Sequence, residues 1–142
     1  MLGGAPGNYE DLRVWRRAMD MVIEIYRVTK TFPTEELYGL TSQMRRAAVS
    51  IPSNIAEGKG RFSSKELTHF LFQARGSLME LRTQISLCRE LNLLSPDISA
   101  ALYERSCELG RLLNGLINRF QLINAEQSKP RNGKDRNPQD EA

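Results

Sequence analysis

The sequence predicts an all-α protein, a single-domain up-down-up-down four-helix bundle. Three observations carry this. Apolar residues recur at three- and four-residue spacing through four separate stretches, the signature of amphipathic helices. Of ten glycines three lie in the first seven residues, so the interior is little punctuated and suits long helices. The stretches are joined by short connections that carry helix start and stop signals, which places consecutive helices antiparallel. The 142 residues suit one domain, divided as a flexible N-terminus over 1–9, a bundle over 10–126 and a disordered polar tail over 127–142.

The first helix is expected from Glu10 or Leu12 to Thr31. Its core row is Trp15, Ala18, Val22, Ile25, Thr29 and Phe32, and a second row, Val14, Met21 and Val28, repeats every seven residues. A bundle seam needs one row, so the extra row predicts a second packing surface, within the bundle or between subunits. Phe32-Pro33 closes the helix, because the residue before proline is pushed out of helical geometry.

The second helix begins near Thr34 or Glu35 and contains the stretch around which the chain is organised, Leu40 to Gly60. Leu40, Met44, Ala47, Ala48, Ile51 and Ile55 line one face, yet Pro52 sits among them and cannot donate to the carbonyl of Ala48. Interior proline costs a helix about 3 kcal/mol, so the helix breaks or tertiary contacts hold it. Ser50 and Ser53 flank the proline and are expected to serve the backbone groups it leaves unpaired. Glu57-Gly58-Lys59-Gly60 reads as the stop.

Ser63-Ser64-Lys65-Glu66 matches a capping box and starts the third helix. Leu67, Leu71, Ala74, Leu78, Leu81, Ile85 and Cys88 then form a heptad seam. Gly76 inside this helix predicts a close helix–helix crossing. Arg61, Thr68, Arg75, Arg82 and Arg89 recur every seven residues, a basic stripe roughly 40 Å long at 1.5 Å per residue. With Lys65, its arginines are the candidate phosphate contacts; the competing reading is a solvated or subunit-pairing face. Ser95-Pro96 caps the fourth helix, whose core row is Ile98, Leu102, Leu109, Leu112, Leu116, Phe120 and Ile123.

Charge permits nucleic-acid binding without requiring it. The net charge is +3, and residues 1–60, 61–126 and 127–142 each contribute +1, so no polybasic arm is present. Arginine far outnumbers lysine, which suits planar contacts to carboxylate or phosphate. The single histidine, His69, cannot assemble a histidine metal site or a Ser-His-Asp set within one chain, and no phosphate-loop or dinucleotide motif occurs. No catalytic residue, metal site or cofactor is therefore expected, and the protein is read as non-enzymatic. Cys88 and Cys107 lie in helical patterns without metal-ligand spacing and read as small buried hydrophobes of a reduced compartment. With no signal peptide and no apolar run long enough for a membrane, the expected location is the cytoplasm.

The residues also resemble a known family. Leu12-Arg13-Val14-Trp15, Glu36-Leu37-Tyr38-Gly39-Leu40, Gln43-Met44-Arg45-Arg46-Ala47-Ala48, Ser50-Ile51-Pro52-Ser53-Asn54-Ile55-Ala56-Glu57-Gly58 and Gly76-Ser77-Leu78 come in an order similar to the 23S rRNA intervening-sequence proteins. The likeness runs from about Tyr9 to Phe120. It implies a four-helix bundle assembled as a homopentamer around a central channel, a cyclic oligomer, and a distant likeness to the basic accessory protein of diversity-generating retroelements. It assigns the helix-two motif to packing: Pro52 and Asn54 within it, and Arg45, Arg46 and Arg61 with Glu57 as ion pairs between helices or subunits. Two functions follow as expectations. The first is an oligomeric scaffold that binds structured RNA through Arg61, Lys65, Arg75, Arg82 and Arg89. The second is a protein–protein adaptor without nucleic-acid binding, in which the same arginines pair across subunits.

Overall fold

The computed structural model describes residues 9–130, with side chains from Arg13 onward. The expected loose segment before residue 9 and most of the expected tail lie outside the described residues. Four helices make up the fold: α1 Tyr9–Thr29, α2 Ser42–Lys59, α3 Ser64–Glu90 and α4 Pro96–Gln127. Each packs on its chain neighbours, and α4 closes the bundle against α1. The pairs Ser64–Asn124, Arg75–Asn114 and Arg82–Ser106 fall on one helix as they rise on the other, so α3 and α4 run antiparallel. Ser50–Ser77 and Met44–Cys88 give the same sense for α2 and α3, and Arg17–Glu108 and Glu24–Arg105 for α1 and α4. The result is the up-down-up-down all-α bundle.

The heptad seam of α3 is buried along its whole length, from Leu67 to Cys88. On α1 the buried row is Val14, Ala18, Met21, Ile25 and Thr29, while Trp15, Val22, Val28 and Phe32 flank it half-buried. The two rows read in the sequence are thus one broad face, as wide as a globular bundle needs. Val14 and Met21 fill this chain's own core. On α4 the seam opens with Ser99, Leu102 and Ser106, and Ile98 is 45% exposed. Small hydroxyl residues are buried here because each returns its O–H to a carbonyl one turn back, Ser99 to Pro96 and Ser106 to Tyr103.

Three local expectations are corrected. Helix α2 starts at Ser42, after a short 3₁₀ turn, Thr34–Glu36, and a π-turn, Leu37–Thr41, in which Gly39 leaves helical geometry. The acidic residues before it fill that turn, where the Glu36 carboxylate accepts from the Leu40 N–H at 3.5 Å. Helix α2 then runs unbroken through buried Pro52. The Ser50 hydroxyl serves Ser77 of α3 at 2.8 Å and the Asn54 amide at 3.0 Å instead of the Ala48 carbonyl. Asn54 also donates to the Ser50 carbonyl at 2.8 Å, so a polar bridge ties the proline turn to α3. Gly76 makes no close crossing, for a Cβ there would meet nothing within 4 Å. The close approach is at Gly58, where a Cβ would lie 2.9 Å from Leu67 Cδ1 and 3.0 Å from Phe70 Cβ.

The helix starts follow the sequence signals. The Ser63 hydroxyl accepts from the Glu66 N–H at 3.1 Å, and the Ser95 hydroxyl from the Ile98 N–H at 3.2 Å. Asn92 takes the left-handed conformation (φ 58°) that ends α3, an excursion that asparagine tolerates better than most residues.

Candidate functional site

The stripe of α3 divides into two groups. Seven-residue spacing keeps 68, 75 and 82 on one face, and the bundle turns that face toward α4. Thr68 is buried and accepts from the Asn124 amide at 3.2 Å. Arg75 donates to Asn114 Oδ1 at 3.2 Å and lies over the Phe72 ring at 4.7 Å. Arg82 donates through Nη2 to the Ser106 carbonyl at 2.9 Å and through Nε to its hydroxyl at 3.2 Å. A Cβ on Gly110 would collide with the Arg82 guanidinium, so glycine there makes the space for it. These arginines are half-buried fasteners between α3 and α4, and the stripe is not a continuous solvated track.

Arg61, Lys65 and Arg89 remain exposed. Arg89 borders a cavity of about 230 Å³ with Tyr103 and Glu104. Arg61 and Lys65 stand at the amino end of α3 beside a groove of about 800 Å³ that also takes in His69, Phe70, Phe72 and Asn124. Arg61 pairs with Glu57 at 2.6 Å, and its guanidinium lies 4.9 Å from the centre of the Phe70 ring. His69 bonds Gln73 at 3.0 Å and meets Phe70 edge to face. Phe62, immediately before the cap, is fully exposed.

The packing candidates of α2 also separate. Pro52 is buried and Asn54 half-buried. Glu57 pairs with Arg61 one turn on, within the chain and not between helices. Arg45 reaches α1, where its Nε donates to Thr29 Oγ1 at 2.9 Å and its plane lies 4.6 Å from the Tyr26 ring centre. Thr29 Oγ1 in turn donates to the Ile25 carbonyl at 2.7 Å, which fixes the hydroxyl for Arg45. Arg46 is exposed. Sequence reasoning missed a concavity here: Tyr26, Tyr38, Ser42, Arg45 and Arg46 border a pocket of about 500 Å³. Tyr26 belongs to another helix, so no spacing within α2 reveals it.

Cys88 is buried with its thiol 3.4 Å from Met44 Sδ. Burial, and then the charge of Glu36, push this thiol up to about 11. Cys107 is half-buried. Among the described residues no group of three or more His, Cys, Asp or Glu could hold a metal ion, and no helix is long and apolar enough to cross a membrane.

A search of curated proteins found no match. Among solved structures, the chain is similar to a protein with unknown function from the S23 ribosomal protein family of Bacteroides thetaiotaomicron. The TM-score is 0.72 at 20% identity, covering 77% of this chain and 98% of that one. That likeness shows a shared fold. The family model described as 23S rRNA-intervening sequence protein matches residues 10–115, a span that takes in all of α2 and α3 and most of α1 and α4. On that match the chain belongs to the 23S rRNA-intervening sequence protein family.

Proposed function

We propose that the protein is a non-enzymatic, cytoplasmic homo-oligomer, a pentamer, that binds structured RNA at the amino end of α3. The observation that carries the RNA reading is the groove beside Arg61 and Lys65. Beside the single carboxylate of Glu66 it combines two exposed cations with the rings of Phe70 and Phe72, a pairing of charge and stacking surface that suits phosphates and unpaired bases. Self-association is supported by a second apolar row on α3, outside the core. Phe72, Met79 and Leu87 are 36%, 53% and 46% exposed. Repetition of a weak RNA contact around a ring raises avidity without any new contact.

Fluorescence anisotropy with a labelled structured rRNA fragment at 50 and 200 mM salt tests the reading. Binding should weaken steeply with salt, and R61Q/K65Q should lower the magnitude of the log–log slope by about 1.4 to 1.8 per subunit engaged, two phosphate contacts at 0.7 to 0.9 each. An unchanged slope overturns the assignment. Absence of binding at low salt favours the adaptor, a reading supported by the nearly complete exposure of Tyr38 and Phe62, at 93% and 107%.

A further inference from the structure

We propose that the pocket between the end of α1, the π-turn and the start of α2 binds a nucleoside phosphate, its phosphate on Arg45 and Arg46 and its ring on Tyr38. The site goes beyond the α3 groove and does not depend on it.

Four observations converge. First, the pocket carries two guanidinium groups, the phenols of Tyr26 and Tyr38 and the hydroxyls of Thr41 and Ser42, and no carboxylate lines it. The adjacent acid, Glu36, is turned back onto the Leu40 N–H. Second, Arg45 is held in place without being neutralised. Its Nε is engaged by Thr29 Oγ1 and its face by Tyr26, so neither partner is an acid. Both Nη groups make no hydrogen bond among the described residues and remain to donate to a fork of oxygens, the geometry in which arginine holds phosphate. Several exposed arginines elsewhere on this bundle sit against acids, among them Arg16 on Asp20 and Arg27 on Glu24. Third, Arg46 is exposed beside it and pairs with no carboxylate among the described residues. Fourth, Tyr38 is 93% exposed. It contributes nothing to the core, and it is carried on a turn whose next residue, Gly39, departs from helical geometry. A tyrosine held out beside two unneutralised arginines is a stacking surface for a base next to a phosphate site. The volume of about 500 Å³ lies within the range of small-ligand pockets, roughly 300–1,000 Å³.

Isothermal titration calorimetry on the full chain tests this with GMP, guanosine, inorganic phosphate and a single-stranded hexaribonucleotide, with sedimentation velocity on each protein. GMP should bind, inorganic phosphate more weakly, and guanosine without measurable heat. Arg46→Gln and Tyr38→Ala each alter an exposed side chain and should weaken GMP about tenfold, while R61Q/K65Q leaves it unchanged. A hexamer tighter than GMP, and equally sensitive to both changes, identifies the ligand as RNA; equal affinity identifies free nucleotide. Absence of heat with both GMP and the hexamer overturns the site, as does binding that neither substitution alters. Dissociation of the oligomer by Arg46→Gln or Tyr38→Ala with GMP affinity unchanged also overturns it, and assigns the pocket to subunit contact.

Discussion

Two glycines on adjacent helices should respond to alanine in opposite directions. At Gly58, in the last turn of α2, a new Cβ meets Leu67 Cδ1 at 2.9 Å, Phe70 Cβ at 3.0 Å and the Leu67 carbonyl at 3.3 Å. The Leu67 methyl can rotate away, but the Phe70 Cβ and the carbonyl belong to the α3 scaffold, so the helices must part. Overpacking of this kind costs about 1–3 kcal/mol, against a gain of up to about 1 kcal/mol in helix propensity. The net expectation for G58A is a loss of about 0.5–2 kcal/mol. At Gly76 a Cβ meets nothing within 4 Å, so the propensity gain stands alone and G76A should gain about 0.5–1 kcal/mol. For a domain of this size a kcal/mol moves the melting temperature by about 3–5 °C. Thermal melts by circular dichroism at matched concentration should therefore place G58A below the parent and G76A above it; matching matters because self-association makes the melting temperature depend on concentration. G58A as stable as the parent would refute the close α2–α3 approach. G76A less stable would mean that the surface over Gly76 is covered, as a tight subunit contact would cover it.

Two further outcomes follow from the side-chain chemistry. Arg82→Ala removes both donors to Ser106 and should cost about 1–3 kcal/mol, since the carbonyl of a buried residue loses its charged partner. Urea titration should show a lower midpoint at unchanged slope, whereas Arg89→Ala, at an exposed position, should stay within about 0.5 kcal/mol of the parent. For Cys88 the folded thiol titrates at about 11 against 9.0 in the unfolded chain. The unfolded chain therefore releases this proton first as pH rises. The contribution of the neutral thiol is full below pH 9 and lost as pH rises through about 11, about 3 kcal/mol at most for a two-unit shift. Urea midpoints at pH 8 and pH 10.5 should fall further for the parent than for Cys88→Ala, and equal falls would refute the raised value.

The helices and their seams were legible because they follow from short-range chemistry. Leu67 to Cys88 could be assigned to a buried face from spacing alone, since 3.6 residues per turn returns every third or fourth side chain to one side. The caps at Ser63 and Ser95 were equally readable, for a hydroxyl and the N–H it serves lie within three residues. Helix α2 was placed several residues early because acidic residues near a start suit both a 3₁₀ turn and a first α-helical turn. Ser99 and Ser106 were passed over because a core search by apolarity does not register a buried hydroxyl that has its own carbonyl.

What the sequence determined by itself is which residues share a face: four amphipathic segments, one bundle, and the seven-residue repeat of Arg75, Arg82 and Arg89. What lies opposite each face was decided by tertiary structure. Arg75 and Arg82 became fasteners because α4, running antiparallel, presents Asn114 and Ser106 within hydrogen-bond distance, while Arg89 two turns on stays exposed. The same separation explains Arg45 and Arg46. They are neighbours in sequence, but α1 supplies Thr29 and Tyr26 to the first and, among the described residues, no hydrogen bond or ion pair to the second. A hydrogen bond forms or fails over a few tenths of an ångström near 3 Å, and that distance depends on the path of a helix 16 or more residues away in the chain. Periodicity carries no information about such a path.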